Sequence, residues 1–152
     1  MRWSKLKKRI EDNFAVGVKY RVAIHSAAYG NCSCGHAWMT LDGDVIANFC
    51  TRALYNRFLY GHEENDRGLS TDEVRRYKNQ LVEYGELGRQ DVYAACWEYI
   101  HDLSFDEALV SDGLFVQVLA VLDKRLGKRR FKKVMGADLH PLARKLLEVR
   151  IS

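Results

Sequence analysis

Trp3, Leu6, Ile10 and Phe14 recur at steps of three and four, with mostly polar residues between them. That period predicts an amphipathic helix, with Lys5, Lys8 and Arg9 mainly off the apolar stripe and Gly17 ending the segment. Val18, Tyr20, Val22 and Ile24 then alternate with Lys19, Arg21, Ala23 and His25. A period of two predicts a half-buried strand over 18–24. Residues 29–35 read as a turn. Asp42-Gly43 stands between the segments 36–41 and 44–50, and suits a two-residue hairpin loop whose two positions both need positive φ. The hairpin sets Trp38 opposite Ala47, Met39 opposite Ile46, His36 opposite Phe49 and Gly35 opposite Cys50. A three-stranded antiparallel sheet follows.

From Thr51 the pattern turns helical, with Leu54, Tyr55, Phe58 and Leu59 on one face. Residues 61–68 read as a loop. Ser70 with Glu73 forms a capping-box pattern that opens a helix through Val82, broken by Gly85-Glu86-Leu87-Gly88. Asp91 is placed to cap the next helix, which carries Val92, Ala95, Cys96 and Tyr99, and Ser104 with Glu107 repeats the capping box. Phe115, Val118, Leu119, Leu122 and Leu126 make the longest apolar stripe of this half, with Gly127 as the C′ residue of its helix. Phe131, Val134 and Met135 predict a short amphipathic turn. Pro141 opens the last helix, with Leu142, Leu146 and Val149 inward. The fold class is α+β: an N-terminal helix, a three-stranded antiparallel sheet and a helical C-terminal half. All of it is expected in a single domain, 1–152, with the sheet contained in residues 1–50 and the helical half in residues 51–152.

Composition changes little in that picture. The 152 residues are 47% hydrophobic and 29% charged, an ordinary globular balance. A chain of this size buries about 70% of its unfolded surface, so it needs no disulfide to fold. No stretch reaches the ~20 apolar residues of a membrane span. The basic start Met1-Arg2-Trp3-Ser4-Lys5 has no apolar run behind it, so no secretory leader is expected. The four cysteines then read as reduced thiols of a cytoplasmic protein, or as ligands.

Charge changes more. Between residues 124 and 133 seven of ten positions are basic: Lys124, Arg125, Lys128, Arg129, Arg130, Lys132 and Lys133. A second cluster, Arg2, Lys5, Lys7, Lys8 and Arg9, opens the chain, and the two together hold 12 of its 24 Lys and Arg. Two positive ends around a middle that is acidic on balance suit a polyanionic partner, nucleic acid or an acidic protein. A structural account competes: Lys124 and Arg125 would sit in the last turn of the 115–126 helix, where cations complement the macrodipole by about 0.3–1 kcal/mol. Phe131 within the run reads as a core anchor rather than a stacking platform.

Cys32-Ser33-Cys34-Gly35-His36 is the other cluster with chemistry in it. With Cys50 across the hairpin and His25 at the end of the preceding strand, it offers candidate ligands for tetrahedral zinc. The C-x-C spacing is tighter than zinc sites favour, and alternate residues of a strand share a face without any metal. The chain also has apolar material enough for a core. We therefore expect no metal and no cofactor, with Cys50 and Cys96 as buried apolar thiols.

For catalysis the sequence offers no nucleophile elbow, phosphate-binding loop, dinucleotide fingerprint or H-E-x-x-H. His62-Glu63-Glu64-Asn65-Asp66 lacks the second histidine, and His101-Asp102 are neighbours that a helix would turn apart. The expectation is a small non-enzymatic binding or accessory protein that uses its basic face. The alternatives are a hydrolase or nuclease-type enzyme with a polar cleft near the sheet, or a small zinc-binding protein.

Two likenesses bear on this. Helix, three strands and helix is the order of double-stranded-RNA-binding domains. The second helix here begins Thr51-Arg52-Ala53-Leu54-Tyr55, without their lysine cluster, so that likeness is one of topology alone. Residues 91–99, Ser104-Phe105-Asp106-Glu107-Ala108-Leu109 and the run from Leu119 to Arg130 resemble a family of small uncharacterised bacterial cytosolic proteins. So do the opening Met1-Arg2-Trp3-Ser4-Lys5-Leu6-Lys7 and the Trp38-Met39-Thr40-Leu41-Asp42-Gly43 hairpin. The resemblance covers most of the chain. It implies a bacterial, cytosolic, single-domain protein and brings no activity, cofactor or catalytic residue with it. The cysteine turn at 32–34 is not shared with the family's pattern.

Overall fold

The computed structural model describes residues 1–29, 35–60 and 80–152. In order these form α1 (Trp3–Asp12), β1 (Val22–Ala28), β2 (Gly35–Leu41), β3 (Asp44–Cys50) and α2 (Thr51–Tyr60). They continue with α3 (Arg89–His101), α4 (Phe105–Leu109), α5 (Leu114–Leu122), α6 (Lys128–Met135) and α7 (Pro141–Ile151). The class is α+β, with a three-stranded antiparallel sheet in the order β1-β2-β3. The described residues group into two compact units, Ile24–Tyr93 and Met1–Ala23 with Ala94–Ser152. No helix among them is long and apolar enough to cross a membrane.

In the unit Ile24–Tyr93 the hairpin turn is where its residues put it, with Asp42 at φ 52° and Gly43 at φ 87°. The register differs beyond the turn. Leu41 pairs with Asp44 and Thr40 with Val45, but Met39 then pairs with Ala47, leaving Ile46 as a bulge. Past it Ala37 faces Phe49, Trp38 faces Asn48 and His36 faces Cys50, each one step from the expected partner. The bulge has a packing reason: it sets the fully buried Ala47 and Phe49 against the fully buried Met39 and Ala37. The unbulged register would have put polar Asn48 against Ala37.

The strand expected over 18–24 begins only at Val22. Residues 15–22 form hydrogen-bonded turns, including bonds from Lys19 N to Ala15 O and from Val22 N to Val18 O. Val18 and Val22 are both buried, and their spacing of four fits a helical turn as well as it fits alternation. In α2 Tyr55, Phe58 and Leu59 are exposed. The predicted loop 61–68 and the Ser70–Glu73 capping box lie outside the described residues. Residues 80–82 are not helical: Gln80 Oε1 accepts from Asn48 N, and Leu81 N donates to the bulged Ile46 O. Asp91 works from the first turn of α3 rather than before it, accepting from Gly88 N at 2.8 Å.

In the other unit α5 is buried on every side from Phe115 to Leu122. A helix buried all round, with Gln117 its one polar residue, belongs at the centre of its unit. Ser104 and Glu107 form the predicted capping box, and Pro141 stands at N1 of α7 behind His140, whose side chain accepts from Leu142 N. Two helices end early. α1 stops at Asp12, so Phe14 lies beyond it, buried and bridged to Asp123. α5 stops at Leu122, so Leu126 is buried outside any helix. Gly127, at φ −91°, is the N-cap of α6 rather than the C′ residue of α5.

Candidate nucleic-acid interface

Lys124 and Arg125 are thus not in the last turn of a helix, and the macrodipole does not account for them. A buried carboxylate breaks the helix instead. Asp123 accepts from Arg125 N at 2.8 Å, from Arg125 Nη2 at 2.7 Å and from the Tyr99 hydroxyl at 2.6 Å. Burial works to raise the Asp123 carboxyl, but the bonds from Arg125 and Tyr99 together outweigh it and hold it below the usual carboxylate range. Burial first, and then the bond to Asp123, pushes the Tyr99 phenol well up. Arg150 closes the turn by donating to the carbonyls of Val121, Asp123 and Leu126. Arg125 is therefore neutralised, its guanidinium resting 4.7 Å from the centroid of the Phe105 ring. Lys124 binds the end of α1, through its N–H to Asn13 O and its Nζ to Asp12 O.

The rest of the basic run forms α6. At 3.6 residues a turn, Lys128, Lys132, Arg129 and Lys133 fall within an arc of about 140°. All four are exposed, and none has an ion-pair partner among the described residues. Val134 lies off that arc and is buried. Phe131 is half-buried, with the Arg150 guanidinium 5.2 Å from its ring centroid. Arg130 leaves the free set, with Nη1 2.9 Å from Asp106 Oδ1. The first turn of α6 holds Lys128, Arg129 and Arg130, has no acidic residue and has no side-chain cap. Cations at the positive end of a helix oppose its dipole, so this placement works against folding and in favour of an anion.

The N-terminal cluster lies in the same compact unit. Lys5, Lys8 and Arg9 are exposed on α1, while Leu6 and Ile10 are buried. Arg9 Nη1 stands 3.4 Å from His101 Nε2, and His101 Nδ1 stands 3.0 Å from Trp97 O. The imidazole also stacks on the Trp97 indole, with centroids 3.8 Å apart at 24°. Trp97 was not expected in the site. The i, i+4 spacing of Trp97 and His101 was the available signal, since residues four apart share a helix face.

The candidate metal ligands belong to the other unit. His25 Nε2 shares a hydrogen bond with Thr40 Oγ1 at 3.0 Å. Its ring stacks on Trp38 at 5.0 Å, Trp38 on His36 at 4.5 Å and His36 on Tyr29 at 5.8 Å, all within 16° of parallel. Tyr29 Oη lies 3.0 Å from Cys50 Sγ, and Arg52 lies over the Tyr29 ring. These contacts make a ring column along the sheet. Cys32 and Cys34 lie outside the described residues, among which no group of three His, Cys, Asp or Glu is placed to hold a metal. Cys50 and Cys96 are buried free thiols. A cleft of about 740 Å³ beside α6 collects Asp106, Asp112 and Asp138 with Arg130 and Lys133, and among the described residues no histidine lines it.

The model of the SF0329 protein family matches residues 2–151. The chain belongs to that family. The match spans both basic clusters and both compact units of this SF0329 family member. No curated protein and no solved structure matches the chain.

Proposed function

We propose that this SF0329 family protein is a non-enzymatic cytosolic accessory protein that binds the phosphate backbone of a nucleic acid through the exposed face of α6. The observation that carries the reading is the set Lys128, Arg129, Lys132 and Lys133: four cations on one arc, none paired among the described residues. Arg125 and Arg130 supply a contrast within the same run, since carboxylates already hold them. A merely solvated basic face has no reason to place Lys128 and Arg129 against the dipole of their own helix.

Fluorescence anisotropy with labelled oligonucleotides at several salt concentrations tests this. Four phosphate contacts give a log–log salt slope of about −3.6 on duplex DNA and about −2.8 on a single strand. Lys128→Glu/Arg129→Glu/Lys132→Glu should abolish binding while circular dichroism stays unchanged. Equal weak binding by both proteins, or displacement of the wild type by polyglutamate as readily as by nucleic acid, refutes it. The latter outcome would point to an acidic protein partner.

A further inference from the structure

We propose, resting on the reading above, that the nucleic acid is single-stranded and that an unpaired base stacks at Trp97. The indole, 37% exposed, stands on the outer face of α3 with Ala94, Glu98 and His101, all exposed. It is held in place. The Trp97 carbonyl can only accept, so His101 Nδ1 carries the proton and Nε2 turns its lone pair to the Arg9 guanidinium. The imidazole is fixed between indole, carbonyl and arginine, and its contact with the indole orients that ring. Base–aromatic stacking needs such an ordered ring, and it needs cations beside it to hold the flanking phosphates. Arg9 is one such cation, with Lys5 and Lys8 exposed on the same helix.

The geometry also links this platform to α6. Phe105 follows His101 by four residues, so their Cα atoms are at most about 14 Å apart. The guanidinium groups of Arg125 and Arg130 lie 4.7 and 5.5 Å from the Phe105 centroid, and Arg130 belongs to the first turn of α6. Phe105 thus lies against the first turn of α6, where Lys128 and Arg129 are exposed and have no ion-pair partner among the described residues. A duplex would engage the cations but would keep its bases from the indole. A single strand engages both.

The test compares three probes on wild type, Trp97→Ala and Trp97→Phe: a single-stranded oligonucleotide, a blunt duplex of the same sequence and inorganic polyphosphate. Trp97→Ala should weaken the single strand by about 5- to 150-fold, the range of one lost stacking contact. It should leave polyphosphate binding unchanged, and Trp97→Phe should restore most of the loss. Wild type should also lose indole fluorescence on adding the single strand, and Trp97→Ala should lose less. If Trp97→Ala leaves the single strand unaffected, or weakens polyphosphate equally, the stacking proposal fails while the backbone reading stands. If wild type binds none of the three probes at low salt, both fail together.

Discussion

The Tyr99 hydroxyl donates to Asp123 Oδ2 at 2.6 Å, and both side chains are buried. This contact joins α3 to the residue that stops α5. It explains why the apolar stripe 115–126 is not one helix. Asp123 turns inward to meet Tyr99 and Arg125, the backbone becomes extended at φ −69°, ψ 134°, and the chain is released to start α6. Removing the hydroxyl leaves Asp123 with three bonds from Arg125, two from the side chain and one from the main-chain N–H. Tyr99→Phe should therefore cost about 1–2 kcal/mol in urea unfolding. Asp123→Asn should cost more, about 2–3 kcal/mol, because it weakens a charge-assisted pair. The abandoned Arg125 is half exposed and can rehydrate, which keeps the loss below that of a fully buried pair. A Tyr99→Phe variant as stable as wild type would show that the contact does not hold the turn.

Asp123 also gives stability a pH dependence. Its carboxyl lies below the ordinary range in the folded protein, since the Arg125 and Tyr99 bonds overcome burial. A depressed acid stabilises fully above its unfolded value, about 3.9, and loses that contribution as pH falls through the folded value. The stability gap between wild type and Asp123→Asn should hold steady from pH 7 to about 5 and shrink below about 4. Urea melts of both proteins along that series measure it. A gap that widens on acidification contradicts the arrangement.

Two glycines make opposite predictions. A Cβ on Gly35 would run into the Ala27 carbonyl oxygen and come within 2.9 Å of the Ala28 Cα, both main-chain atoms of β1. Neither can move without opening the sheet, so Gly35→Ala should cost at least about 1–3 kcal/mol. Gly17 has no described residue within 4 Å of the same position and no positive φ. Gly17→Ala should be neutral or stabilise by up to about 1 kcal/mol, by restricting the unfolded chain. Thermal melts of the two variants rank them, and the reverse order would refute the placement of β1 against β2.

Local chemistry was legible in the sequence, and long-range partnership was not. Asp42-Gly43, the Ser104–Glu107 box and Pro141 read correctly because each is set by residues within a few positions of itself. The Ile46 bulge did not, since it depends on which residues of β2 meet Phe49 and Ala47. The stop at Asp123 depends on Tyr99, which is 24 residues away. For the interface, the two basic clusters were plain from composition. Which of their cations are already neutralised was not, because Asp106 and Asp123 look like any other surface carboxylates in the sequence.

Cys96 provides a check on the interface that needs no ligand. Its side chain is fully buried in the unit that carries α1, and its neighbour Trp97 is exposed. Burial, with Glu11 adding to it, pushes the thiol up to about 12. At pH 8 that leaves about a thousandfold less thiolate than an ordinary cysteine carries, before any steric protection. Cys96 should resist iodoacetamide in native buffer and react only as urea populates the unfolded state, read by mass mapping of the Cys96 peptide. Rapid native labelling would mean that this face of α3 turns outward. Trp97, about 100° further round the helix, would then be carried away from Arg9, and the stacking platform would lose its geometry whatever the chain binds. Protection of Cys96, in contrast, is what the rotation of α3 that presents Trp97 and His101 beside Arg9 requires.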